Sequence, residues 1–236
     1  MDAGILSYQL CDREFACETC PLDSAIRAGY HDGRPASVRN AAGAQAHDGG
    51  GEKPEELSGA KYSRNHLWVR ESGTGAMRIG LEPKLALLLP PVKAVVIPGV
   101  GQVVTPEAYC FWVVAEGGVL PFHSPVPGVL AAINPRIADE PQLLQLSPAS
   151  EGWILECLSS DLLPSSQELM QREQAEREYR QELEHFKETL FREAQRTGGA
   201  TVRTLADGGE VVGVAGAILG AARYFDILKK AMLPDG

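Results

Sequence analysis

The stretch that most constrains how this chain folds is residues 109–128, YCFWVVAEGGVLPFHSPVPG. Two apolar runs, 110–114 and 119–122, flank Glu116, Gly117 and Gly118. Aromatic and β-branched side chains suit a pleated, half-buried surface, and a glycine pair between two such runs supplies the backbone freedom of a tight reversal. The pattern predicts two strands joined by a hairpin. Pro125, Pro127 and Gly128 then turn the chain, and VLAAI at 129–133 begins a third strand. Strand, glycine turn, strand, proline corner, strand is the order of a small β-sandwich or flattened barrel.

Around this hairpin the chain divides into four stretches. Residues 61–158 form the β-domain, whose core begins with Trp68, Val69, Met77 and Ile79. Within it, residues 83–89 predict a short helix carrying Leu85, Leu87, Leu88 and Leu89 and closed by Pro90 and Pro91. His66, beside Trp68 at the start of a strand, reads as a structural hydrogen-bonder, and His123 as a surface or packing residue. Glu116 at the hairpin tip reads as solvated, with a docking charge as the other option.

Residues 1–31 form a head in which Cys11, Cys17 and Cys20 have the spacing C-x5-C-x2-C. Pro21 then opens a short helix to Tyr30, with Leu22, Ile26 and Tyr30 on one face and Ala25 beside them. Cys20 at its N-terminus is placed where a thiolate is favoured. Three readings stay open for the cluster. It could hold zinc or an iron–sulfur centre with a fourth ligand from His31, Asp12 or Asp23. It could be a redox-reactive thiol pair, or three reduced thiols in a small apolar lobe. Residues 32–60 are rich in Gly, Ala, Pro and Glu without apolar periodicity, the composition of a flexible linker.

Residues 165–197 predict a long helix, with Ser165 and Glu168 as a capping box and Gly198-Gly199 as its stop. Its stripe of Tyr179, Leu183, Phe186 and Leu190 can pack on its own domain or against a partner helix. A second helical stretch, 211–233, shows an apolar face of Val211, Ala215, Ile218, Ala222, Phe225 and Leu228. Gly216 and Gly220 within it suit close helix packing, and Asp207-Gly208-Gly209 marks the turn of an αα-hairpin. The whole reads as α+β: a β-sandwich with a Cys-containing head and a helical tail over residues 165–236.

Composition excludes several functions. A net charge of −9 with pI ≈ 5.1 argues against nucleic acid and against an anionic membrane surface, both of which demand clustered Lys and Arg. The start lacks a basic, apolar leader. The longest apolar stretch, 211–222, falls short of the ~20 residues that span a bilayer. Five cysteines read as reduced thiols or metal ligands, and the cytoplasm is the expected compartment. No P-loop, G-x-G-x-x-G, G-x-S-x-G or H-E-x-x-H occurs, and the carboxylates of the long helix suit a solvated face better than acid–base work. An enzyme is not expected.

Five segments in one order carry a resemblance: YSRNHLWV at 62–69, Ile79-Gly80-Leu81, VVIPGVG at 95–101, the hairpin, and NPRIADEPQL at 134–143 running through Gly152-Trp153-Ile154. Together they are similar to the glycine cleavage H proteins, lipoyl-carrier members of the biotinyl/lipoyl domain family. The resemblance covers about 100 residues, from Lys61 to Cys157, and implies a lipoyl-type β-sandwich, a flattened barrel hybrid. It also implies a lysine at the hairpin tip to carry the lipoyl arm. In this chain that position falls on Gly117, and no lysine lies between Lys93 and Lys187. Lipoate attaches through an amide to an amine, and glycine has none. The resemblance therefore implies a carrier fold without its cofactor.

Three functions follow. The first is a non-catalytic, H-protein-like binding or scaffold protein that docks a protein partner, such as glycine-cleavage-like or other lipoyl-system enzymes. The second is a working lipoyl carrier in glycine cleavage (an aminomethyl and lipoate shuttle) or a related lipoyl-dependent route, with its arm on an unexpected lysine such as Lys93. The third is a thiol- or metal-sensing adaptor using Cys11, Cys17 and Cys20.

Overall fold

The structure is a computed structural model, and it describes residues 57–73, 75–106, 108–159, 169–198 and 211–233. Cys11, Cys17 and Cys20 with their short helix, most of the linker, and the expected capping box at 165–168 lie outside the described residues.

Two antiparallel sheets pack on one another. The six-stranded sheet runs β1 (Lys61–Tyr62), β2 (Leu67–Glu71), β3 (Met77–Leu81), β9 (Trp153–Ser159), β8 (Gly128–Ile133) and β5 (Val103–Val104), in that spatial order. The three-stranded sheet runs β4 (Val92–Val96), β6 (Tyr109–Ala115) and β7 (Gly118–His123). Inward-facing Leu67, Ile79, Leu81, Phe111, Val113, Leu120, Phe122, Leu130 and Leu155 are fully buried between them, and the rings of Phe111 and Phe122 stack 4.8 Å apart. The sheets stay open, so the α+β expectation resolves as a sandwich rather than a closed barrel.

The hairpin forms as its sequence predicts. Val113 pairs with Leu120 and Val114 with Val119, leaving Glu116 and Gly117 as the turn. Pro121 is tolerated because β7 is an edge strand, where a missing N–H breaks no ladder. The proline corner then carries the chain across to the other sheet as β8.

Two short helices start from side-chain caps. In α1 (Pro83–Leu88) the Glu82 carboxylate accepts from the Leu85 N–H at 2.9 Å. In α2 (Pro135–Asp139) the Asn134 amide oxygen accepts from the Arg136 N–H at 3.0 Å. The single turn α3 (Leu143–Leu146) leads into β9.

The tail departs from expectation twice. The long helix, α4 (Arg172–Gly198), starts at Arg172 and not at 165. Met170 is committed to a bridge with Tyr62, each residue's N–H bonding the other's carbonyl, and extended backbone cannot also be helix. The second stretch is two helices, α5 (Val211–Leu219) and α6 (Ala221–Met232), because Gly220 takes φ 77° between them. That break re-aims the apolar face. Tyr224, Phe225, Ile227, Leu228 and Met232 are buried, whereas Ala222 is exposed.

One apolar cluster joins sandwich and tail. Phe186, Leu190 and Ala194 of α4, Ala215 of α5 and the buried face of α6 continue the core of the two sheets. The α4 stripe thus packs on its own chain. A second, smaller cluster lies under the first turns of α4: Leu57, Ala60, Tyr62, Trp68, Ala149, Met170, Ala175 and Tyr179. Leu57 and Ala60, the last residues of the linker stretch, are therefore packed.

Candidate functional site

The hairpin tip is the feature on which the functional reading turns. Gly117 has φ 99°, a conformation that L side chains rarely adopt. Helix α6 sits directly on it. A Cβ added at Gly117 would lie 2.5 Å from the Ala221 carbonyl oxygen and 3.1 Å from the Phe225 Cβ, and one added at Gly118 would meet the Phe225 ring. Two glycines are needed here, the first for the turn and both for the approach of the helix.

Helix α6 is held in that place from several sides. The Tyr224 hydroxyl donates to the Leu88 carbonyl at 2.8 Å, and its ring meets Phe186 edge-on at 5.8 Å. Arg223 pairs with Glu193 of α4 at 2.9 Å, a surface ion pair of small energetic weight. Phe225 and Leu228 are buried in the main core. Gly216 of α5 packs near the Tyr224 ring, as expected of a small residue at a helix contact, whereas Gly220 serves as the break.

Little chemistry surrounds the tip. Glu116 is exposed and its N–H is bonded to the Pro91 carbonyl, which fits a solvated charge. Lys93 is exposed on β4, at a register shift where Val92 pairs with Ala115 and Ala94 with Val114. It is the extra residue of a β-bulge, beside the tip but on another strand. His123 lies on β7, 4.4 Å from the Tyr109 ring, and reads as a packing residue. Among the described residues no group of three or more His, Cys, Asp or Glu is placed to hold a metal. Cys110 and Cys157 are buried free thiols, both pushed up by burial, Cys157 to about 11 and Cys110 further with Cys157 beside it. Neither is a nucleophile at neutral pH.

His66, expected as a structural hydrogen-bonder, is buried, but neither ring nitrogen is aligned for a hydrogen bond and two carboxylates flank it instead. It is 2% exposed, at φ 54°, with Nε2 2.9 Å from the Glu182 carboxylate and Nδ1 3.8 Å from that of Glu82. Its ring stacks on Tyr179 at 4.1 Å.

A family model described as Glycine cleavage H-protein matches residues 60–182, just over half of the 236 residues. This chain belongs to the glycine cleavage H-protein family. Glycine cleavage system H proteins of Klebsiella pneumoniae and Escherichia coli are each 31% identical over 108 residues, spanning 46% of this chain and 81% of theirs. A crystal structure of a glycine cleavage system H protein from Mycobacterium marinum is 22% identical, covering 49% of this chain and 91% of its own, with TM-score 0.43. The H-protein match ends inside α4. Helices α5 and α6, which cover the hairpin tip, lie beyond it.

The site that sequence reasoning missed is the seat of α6. The available signal was the second glycine: a hairpin turn alone does not require Gly118 as well as Gly117, and a bulky helix facing the pair explains both.

Proposed function

We propose that this chain is an H-protein-family member that carries no lipoyl group and serves as a non-catalytic binding or scaffold protein for a protein partner in the cytoplasm. The observation that carries this reading is Gly117, the position where the resemblance expects the arm-bearing lysine. It has no amine, and the Ala221 carbonyl oxygen lies only 2.5 Å from where its Cβ would be. The docking surface of a carrier and its arm are separable, so a sandwich can keep a partner-binding face after the anchor is gone. Glycine-cleavage-like or other lipoyl-system enzymes are the first partners to test.

Intact-mass analysis of protein purified from its native host, with mass spectrometry of what co-purifies, tests the reading. The expected result is an unmodified chain recovered with a protein partner. A lipoyl adduct would overturn it, and its loss in Lys93→Ala would assign the arm to the β4 bulge. Recovery of the chain alone, at every salt concentration tried, would also count against it.

A further inference from the structure

The cluster at His66 goes beyond this reading. Three elements meet at one buried imidazole: the turn between β1 and β2 that carries it, the N-terminus of α1, and α4, which brings Tyr179 and Glu182 one helical turn apart. We infer that His66, Glu82 and Glu182 form a proton-operated clasp that holds the first turns of α4 on the β-domain and releases them when the imidazole loses its charge.

The geometry sets the terms. Glu82 and Glu182 flank the ring at 3.8 and 2.9 Å, with side chains 7% and 36% exposed. Glu82 also caps α1, which fixes its carboxylate in place. Neither ring nitrogen is aligned for a hydrogen bond, and nor is Glu182 Oε2. With the ring protonated, the attraction of charge for charge holds both carboxylates to it, and that part is lost with the proton. A neutral ring would leave two carboxylates facing each other across it, partly out of water. The Tyr179 ring lies on the imidazole, and its hydroxyl donates to the Ser63 carbonyl. Beyond these, Glu178 of α4 pairs with Arg64 at 3.7 Å, Tyr62 of β1 meets Tyr179 edge-on at 6.5 Å, and Arg172 and Glu176 lie near Tyr62.

Burial works against the charge on His66, but the two carboxylates outweigh it and hold the pKa above the ordinary 6.5. With the folded value raised, the stabilisation is fully present below 6.5 and is lost as pH climbs through the folded value. The opening is local by construction. Ala175 and Tyr179 belong to the small cluster over Trp68, whereas Phe186, Leu190 and Ala194 are anchored in the main core. The clasp residue Glu182 lies between the two. Release bares Trp68, Tyr62 and Tyr179 as an apolar surface while the rest of the helix stays in place.

The full chain, followed from pH 5.5 to 9 by histidine NMR and by amide hydrogen exchange, tests the clasp. The expected midpoint of His66 is above 6.5. Protection factors of amides 172–182 should fall through that midpoint, by about tenfold for each unit of elevation, while those of 186–198 hold. His66→Asn, which tolerates the left-handed backbone, should flatten the pH dependence, and Glu182→Gln should lower the His66 midpoint. A midpoint at or below 6.5, or unchanged protection of 172–182 across it, overturns the clasp. So does the same pH dependence in His66→Asn. Should that variant not fold, the wild-type titration and Glu182→Gln decide the matter alone.

Discussion

At Gly117 the functional and the conformational arguments meet on one residue. Its φ of 99° and the Ala221 carbonyl 2.5 Å from a prospective Cβ both exclude a side chain. Gly117→Lys, which would place an amine at the tip, should cost about 2–4 kcal/mol, combining left-handed strain with overpacking against α6. Urea unfolding of the purified variant checks this. An unchanged midpoint would mean that α6 does not rest on the hairpin. That residue 117 offers no amine was legible in the sequence because a nucleophile is a residue type. The cover was not, since nothing in residues 109–128 records which distant helix lies on them. His66 shows the same divide: its place in the core could be read from the neighbouring Trp68, but its carboxylates come from positions 16 and 116 residues away.

Among elements, the hairpin, α1 and the turn into β8 were readable because each is built from local patterns: alternating apolar runs, Glu82-Pro83 at a helix start, Gly and Pro at a corner. The tail elements were harder. Residues 211–233 look helical throughout, and only the positive φ of Gly220 separates α5 from α6. The start of α4 at Arg172 follows the bridge of Met170 to Tyr62, a long-range pairing that no local pattern records. Helix α6 owes its position to tertiary contacts more than to helix propensity, and two substitutions rank those contacts. Phe225→Ala removes a buried ring from the hairpin seat and should cost about 3–5 kcal/mol. Tyr224→Phe keeps the ring against Phe186 and removes only the hydroxyl donated to Leu88, for about 1 kcal/mol. Thermal or urea unfolding of both variants reads the order. The reverse ranking would place the anchor of α6 on its hydrogen bond.

On the scale of the whole molecule, the decisive fact is that one apolar cluster runs from the two sheets into α4, α5 and α6. If sandwich and tail share a core, neither can melt alone. Trp68, Trp112 and Trp153 report the sheets, far-ultraviolet circular dichroism reports chiefly the helices, and Cys110 and Cys157 report the space between. At pH 6, where the His66 charge is in place, the three probes should trace a single urea transition. Alkylation mapped by mass spectrometry should reach Cys110 and Cys157 only within that transition. The thiols also set the alkaline limit. Burial raises the Cys157 pKa from 9.0 to about 11, so its neutral form stabilises the fold fully below 9. That contribution is lost as pH rises towards 11, because the unfolded chain ionises first. A helical signal that melts ahead of tryptophan emission at pH 6 would show the tail to be an independent unit, and α6 would then be a detachable lid on the hairpin rather than part of the fold that keeps it closed.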